Sequence, residues 1–455
     1  MKRRILALVL CWIMVMSMVM ACSGPSEKDV TTDVTKNATT GEEQKKTKEV
    51  PASVTEPITI EIWHPRGAGQ NGDMIAASVE EFNRTNKFGI TVVEVFQGGY
   101  PVTLTKTMQA ISAGTQPALV VLERAAGVPV MAEQDVLLDM TPYIERDNFD
   151  MDNFLQVLLG YSYYNDEIIS LPYIRSTPVF YYNKSLFEKA GYTEPPKTFT
   201  ELEEIGKKLV ADGLCEYGFE LLNDPAWFVQ NLMYQLGSNM LSEDGLSAPC
   251  LEDGALLSVL TSWRKWVDDG WCAPFVSTSA ESAMKEQFYQ GNLASFVASS
   301  GGLANIINNS VDFELGVSYF PTLSDITSAP TGGGNIAIVE RGNDEQTLAA
   351  AWEFVKFLMS DEQVALNAAN TGYLPITYSS ATSQVLIDQW KEQPLYKVAY
   401  DQLEVAQELP WSGYKADFEE LLKEYCSYVI QDQSQTPEEA VEQIKLNSYA
   451  IFPLK

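Results

Sequence analysis

The sequence predicts an α/β fold built on an open parallel sheet, because strand and helix patterns alternate from its first folded residues. Ile58, Ile60 and Ile62 alternate with Thr59 and Glu61, the period-two signature of a half-buried strand. A Gly-rich turn, GAGQNGD, follows at 67–73, and Ile75, Val79 and Phe82 then recur at helical spacing. ITVVEVF at 90–96 predicts a second strand, 102–113 a second helix, and PALVVLE at 117–123 a buried third strand. Sheets of this kind bind ligands beyond the carboxyl ends of their strands. Here those turns hold Trp63-His64, Gln97-Gly98-Gly99-Tyr100 and Glu123-Arg124.

Upstream of the sheet, Lys2, Arg3 and Arg4 precede an apolar run from Ile5 to Met20, the charged and hydrophobic regions of a signal peptide. The run is slightly short for a membrane span and ends in Val19-Met20-Ala21-Cys22, which resembles a lipobox. Residues 1–21 are therefore expected to be removed and Cys22 to be acylated, leaving the protein outside the cytoplasm and anchored to the cell membrane. Residues 22–57 are rich in Ser, Thr, Lys, Glu and Gly and poor in apolar side chains. Such a stretch buries too little surface to offset its ordering entropy, so a flexible linker is expected.

Composition removes several function classes. The chain of 455 residues carries 31 basic against 61 acidic side chains, a net charge of −30, which repels nucleic acid and anionic lipid. His64 is its one histidine, which removes His-cluster metal sites and most His-based triads. Beyond the leader, Cys215, Cys250, Cys272 and Cys426 form no C-x-x-C pair, and zinc is not expected. An oxidising exterior permits disulfides, and Cys250 with Cys272 is the candidate among three possible pairings.

The Gly67 to Gly72 spacing mimics a phosphate-cradling loop, but Asp73 stands where the essential Lys belongs, so nucleotide binding is rejected. No G-x-S-x-G or H-E-x-x-H occurs. A glycosidase or phosphodiesterase would need paired carboxylates or a metal cluster, and Glu123 is the one acid expected at the sheet's functional edge. No enzyme activity, metal or cofactor is expected. A non-transporting adhesin or sensory co-receptor stays open.

The stretch 198–320 reads as mostly helical. Trp263 and Trp266 fall at helical spacing and are expected in the core. Trp227 follows an Asn223-Asp224-Pro225 turn and opens a helix, where it can serve as ligand wall or as core. Thr436-Pro437-Glu438-Glu439 predicts the N-cap of a final helix.

The segments ITIEIWHP, FQGGYPVTLTK, PYIRSTPVFYYNKSLFEKAGY, FYQGNLASFVASSGGLANI, the Gly triplet at 332–334 and TGYLPIT at 371–377 resemble the family-1 extracellular solute-binding proteins of ABC importers. Within that family they are most similar to its glycerophosphate-binding branch. The resemblance runs from about residue 58 to 452 and implies a two-lobe periplasmic-binding-protein fold of type II, with ligand in a cleft between lobes joined by a multi-strand hinge. Crossings are implied near 173–176, 328–332 and 371–374, giving one lobe of 58–174 plus 330–372 and another of 175–329 plus 373–455. It also implies a monomer that captures a small polar solute and docks on membrane permease subunits.

Carried over by motif, the implied ligand contacts are Tyr100, Glu123, Ser176, Ser299 or Ser300, Gly333 and Tyr373, with Trp227 as an apolar wall. The Gly triplet has a simpler reading as a tight turn. The sequence departs from the branch where its members keep a late Arg that forks onto phosphate: alignment there gives Lys415, a point charge and not a fork. Arg175 stands beside Ser176, where the branch has a small polar residue. The phosphate site is thus either rebuilt around Arg175 and Lys415 or replaced by a sugar site, since aromatic faces and a Glu acceptor also suit polyols.

Overall fold

Ile58–His64 pairs in parallel with Ile90–Phe96 along its whole length and with Leu119–Glu123 near its carboxyl end. This is a computed structural model, which describes residues 52–69, 71–274, 280–408 and 410–453. Gly332–Ile338 runs antiparallel to Leu119–Glu123, and Leu171–Ser176 runs antiparallel to Gly332–Ile338, completing a five-stranded sheet. The sheet is therefore mixed and not wholly parallel. Its last two strands arrive from distant stretches of chain, and no βαβ crossover fixes their direction. The Gly72–Thr85 helix buries Ile75, Val79 and Phe82 as its spacing predicts, and Phe82 meets Phe354 edge-on at 4.9 Å.

A second sheet forms the other lobe in the order Leu315–Ser318, Pro178–Asn183, Ser295–Ser299, Phe219–Glu220, Cys272–Ala273. Four of these strands fall inside the stretch that reads as mostly helical. At two to five residues they are too short to register a period-two pattern against the longer helices around them. Trp263 and Trp266 are core residues, and Trp266 stacks on Phe199 at 4.5 Å. Thr436 caps the final helix in a reciprocal box with Glu439.

The two sheets are joined where Thr177 alone separates Leu171–Ser176 from Pro178–Asn183. Nearby, Ala329–Pro330 pairs in parallel with Ala406–Gln407, and the Leu374 amide donates to the Arg175 carbonyl at 2.8 Å. The hinge is thus built from several strands lying side by side.

Two expectations change. Residues 52–57 are not linker: Arg146 donates to the Ala52 carbonyl at 2.9 Å, and the Thr55 amide donates to Gln346 Oε1 at 2.8 Å. Gln346 holds the segment further, its Nε2 donating to the Ser53 carbonyl and its Oε1 accepting from the Thr55 hydroxyl. The leader, Cys22 and the linker as far as residue 51 lie outside the described residues. All four late cysteines are free thiols. Cys250 Sγ faces the Met240 carbonyl and Cys272 Sγ the Ala273 carbonyl, so the proposed Cys250–Cys272 bridge is absent.

Glu220, buried in its short strand, has its carboxyl pushed up to about 7 by desolvation. An unfolded Glu titrates near ~4.3, so between these values the folded state holds a proton that the unfolded chain releases. Stability should accordingly fall as pH rises from about 4 to about 7. Urea denaturation at pH 5 and at pH 7.5 should show a smaller difference in Glu220→Gln than in the parent. An unchanged difference would remove Glu220 as its source.

Candidate ligand-binding cleft

Strand ends deliver Glu123, Ser176 and Ser299 to the cleft, and helices and loops deliver the rest of its polar groups. Glu123 is the last residue of Leu119–Glu123, and its Oε2 accepts from the amides of Ala125 (2.9 Å) and Ala126. Those bonds fix the carboxylate, while Oε1 makes no hydrogen bond among the described residues. Tyr100 opens the Tyr100–Ala113 helix behind Gly98, whose φ of +111° only glycine adopts without strain. Burial pushes the Tyr100 phenol up, so its hydroxyl stays protonated and can donate. Ser176 ends Leu171–Ser176 beside Gly332.

The Gly triplet is the start of a strand and not a turn, and each glycine makes room for something different. A methyl carbon at Gly332 would fall 1.9 Å from Trp227 Cζ2, one at Gly334 2.7 Å from the Tyr100 hydroxyl, and one at Gly333 2.0 Å from the Ile174 carbonyl oxygen. Gly333 also has φ +89°. Trp227, on the single turn Pro225–Val229, lies against the bare backbone of Gly332. Tyr373 packs on Gly301 in the same manner, a methyl there falling 2.4 Å from its ring.

These groups line one cleft of about 840 Å³ between the lobes, together with Ser299, Arg66, Asn71, Lys285 and Lys415. Eight of the ten positions singled out from sequence are in its wall: Tyr100, Glu123, Ser176, Trp227, Ser299, Gly333, Tyr373 and Lys415.

Arg175 and Ser300 are not, and both expectations are corrected. Arg175 is fully buried in the hinge. Its guanidinium donates to the carbonyls of Gly332 (2.9 Å) and Leu158 (2.6 Å), to Thr331 Oγ1 (2.8 Å) and to Glu408 Oε1 (2.5 Å). Successive strand residues point to opposite faces; with Ser176 toward the cleft, Arg175 must face away. Ser300 is buried, its Oγ 3.4 Å from the Thr177 amide.

Lys415 borders the cleft, but its ammonium is already ion-paired with Glu419. Burial outweighs that pairing and holds the Glu419 carboxyl up at about 7. Lys285 is similarly paired with Glu281 at 2.6 Å. The sequence reading missed Arg66, two residues beyond the strand-end His64. Its Nη2 donates to the Tyr100 hydroxyl at 3.3 Å, and its guanidinium lies 4.9 Å from the centre of the Tyr100 ring. It missed Asn71 as well, whose Nδ2 crosses the cleft to the Gly301 carbonyl at 2.5 Å. His64 itself is buried against Glu94 of the neighbouring edge strand at 2.5 Å.

The pattern of the bacterial extracellular solute-binding protein family matches residues 77–398, well over half of the chain. The chain belongs to this family. As a solute-binding protein it is 32% identical, over 70% of its length and 74% of the relative's, to the sn-glycerol-3-phosphate-binding periplasmic protein UgpB of Salmonella typhimurium. The protein of that name from Escherichia coli K12 is 31% identical over 74% of this chain and 77% of its own. Among solved structures, UgpB from Mycobacterium tuberculosis in complex with glycerophosphocholine shares the fold at a TM-score of 0.76. That match has 23% identity and covers 87% of this chain and 98% of the other. The GacH receptor of Streptomyces glaucescens, solved unliganded and with acarbose, matches at 0.78 with 19% identity over 88% and 99%. This solute-binding protein is accordingly the extracytoplasmic binding component of an ABC importer and not an enzyme.

Proposed function

We propose that this solute-binding protein captures glycerol-3-phosphate or a glycerophosphodiester by closing lobe 58–174 plus 330–372 onto lobe 175–329 plus 373–455. It then presents the closed form to its permease, held near the membrane by lipid on Cys22. The observation that carries the reading is the wall of the cleft in a chain 32% identical to a glycerol-3-phosphate binder. Tyr100, Tyr373 and Trp227 offer ring faces to a carbon skeleton, while Glu123 Oε1 and the Ser176 hydroxyl are available to its hydroxyls. A ligand touching both lobes binds the closed form better than the open one and shifts the population toward it. Lipid tethering raises the local concentration at the permease without new contacts.

A sugar is the second reading. The cleft, at about 840 Å³, is far larger than a three-carbon ester requires, and aromatic faces also suit saccharides.

A thermal-shift screen of the leader-free protein separates the two. Glycerol-3-phosphate or glycerophosphocholine at a hundredfold excess over Kd should stabilise it by about 2.7 kcal/mol. Stabilisation by maltose or longer maltodextrins alone would retire the phosphate reading and leave the binding-protein assignment intact.

A further inference from the structure

We propose that Arg66, in the loop after the first strand, is the residue that receives the ligand's phosphate. This rests on the glycerophosphate reading and deepens it by assigning the anion subsite to the first lobe. Three cationic side chains border the cleft: Arg66, Lys285 and Lys415. Lys285 is ion-paired with Glu281, and Lys415 is in contact with the Glu419 carboxyl. Arg175, the other candidate, spends its donors on the hinge. Arg66 alone among the cleft-lining cations forms no ion pair with a described residue.

Its chemistry fits the role. Arg66 Nε is buried and makes no hydrogen bond, an unsatisfied donor that an anionic oxygen in the cleft would complete. A guanidinium is planar and weakly hydrated, which suits phosphate oxygens better than an ammonium does. The Tyr100 ring beneath it fixes its plane, and the Tyr100 hydroxyl beside it supplies a further donor to the same oxygens. In a chain of net charge −30, an unpaired cation facing a cleft also offsets the repulsion that an anionic ligand meets.

The test is calorimetric titration of the leader-free protein, its Arg66→Gln variant and its Arg66→Lys variant with glycerol-3-phosphate and glycerophosphocholine. Maltose serves as an uncharged control. Arg66→Gln should weaken both phosphate compounds by about a hundredfold or more, while the ligand-free protein keeps its melting temperature. Arg66→Lys, which keeps the charge and loses the planar fork, should lose about tenfold. Parent-like affinity in both variants would overturn the assignment while leaving the glycerophosphate reading in place. Should Arg66→Gln fail to fold, Arg66→Lys decides, and equal affinity there overturns the proposal. A parent that ignores both phosphate compounds and binds maltose would remove the reading and the assignment together.

Discussion

Glu408→Ala should destabilise the protein by about 3–5 kcal/mol, because it strips the counter-ion from two buried guanidiniums. Glu408 Oε1 contacts Arg175 Nη2 at 2.5 Å, lies 4.0 Å from Arg124 Nε, and accepts from Thr331 Oγ1. Arg175 is 0% and Arg124 2% exposed, so neither can reach water when the carboxylate goes. Burial already loosens the proton on Arg175, with Glu408 opposing that shift and Arg124 adding to it. Glu123 acts on both guanidiniums from farther away, but Glu408 is the carboxylate in contact with them and cannot be spared. Urea denaturation should show a lower midpoint at unchanged slope, the mark of lost stability in the same folded state. A loss below ~1 kcal/mol, the level of an exposed pair, would mean that water reaches the cluster.

Gly332→Ala should weaken ligand binding by about tenfold to a hundredfold, corresponding to the ~1–3 kcal/mol typical of overpacking. The added carbon would fall 1.9 Å from Trp227 Cζ2, so the ring must leave its seat on the strand. The effect should travel through that ring alone. In a Trp227→Ala background the same alanine should therefore cost little, a non-additive cycle expected of residues in contact. Titration of the four proteins with the ligand found in the thermal screen checks this. Additive losses would show that Gly332 acts through the hinge, where its carbonyl accepts from Arg175 Nε.

How far the sequence could be read follows from element length and side-chain direction. Ile58–His64 and Ile90–Phe96, each seven residues, alternate or run apolar long enough to be seen. Phe219–Glu220 and Cys272–Ala273 owe their existence to neighbours in the second sheet, and no local pattern announces them. Tyr100 and Glu123 were accessible because ligand sites in α/β sheets gather at strand ends. Arg175 was misassigned because adjacency in sequence is opposition in a strand: it shares a strand end with Ser176 but faces the hinge. Arg66 gave no periodic signal, standing in the irregular Pro65-Arg66-Gly67 loop, and only its position beside Tyr100 reveals it. The Gly triplet was visible as a motif, but three separate close approaches from Trp227, Ile174 and Tyr100 were not.

The fastening of residues 52–57 has a mechanical consequence. Ala52, Ser53 and Thr55 are tied to Arg146 and Gln346, all on the first lobe. Any pull along the chain from upstream is borne by that lobe alone and never crosses the hinge. Under the proposed anchoring through Cys22, the first lobe would be the moored half and the second the half that swings. Capture and release would then proceed on a taut or a slack line without load on the moving jaw.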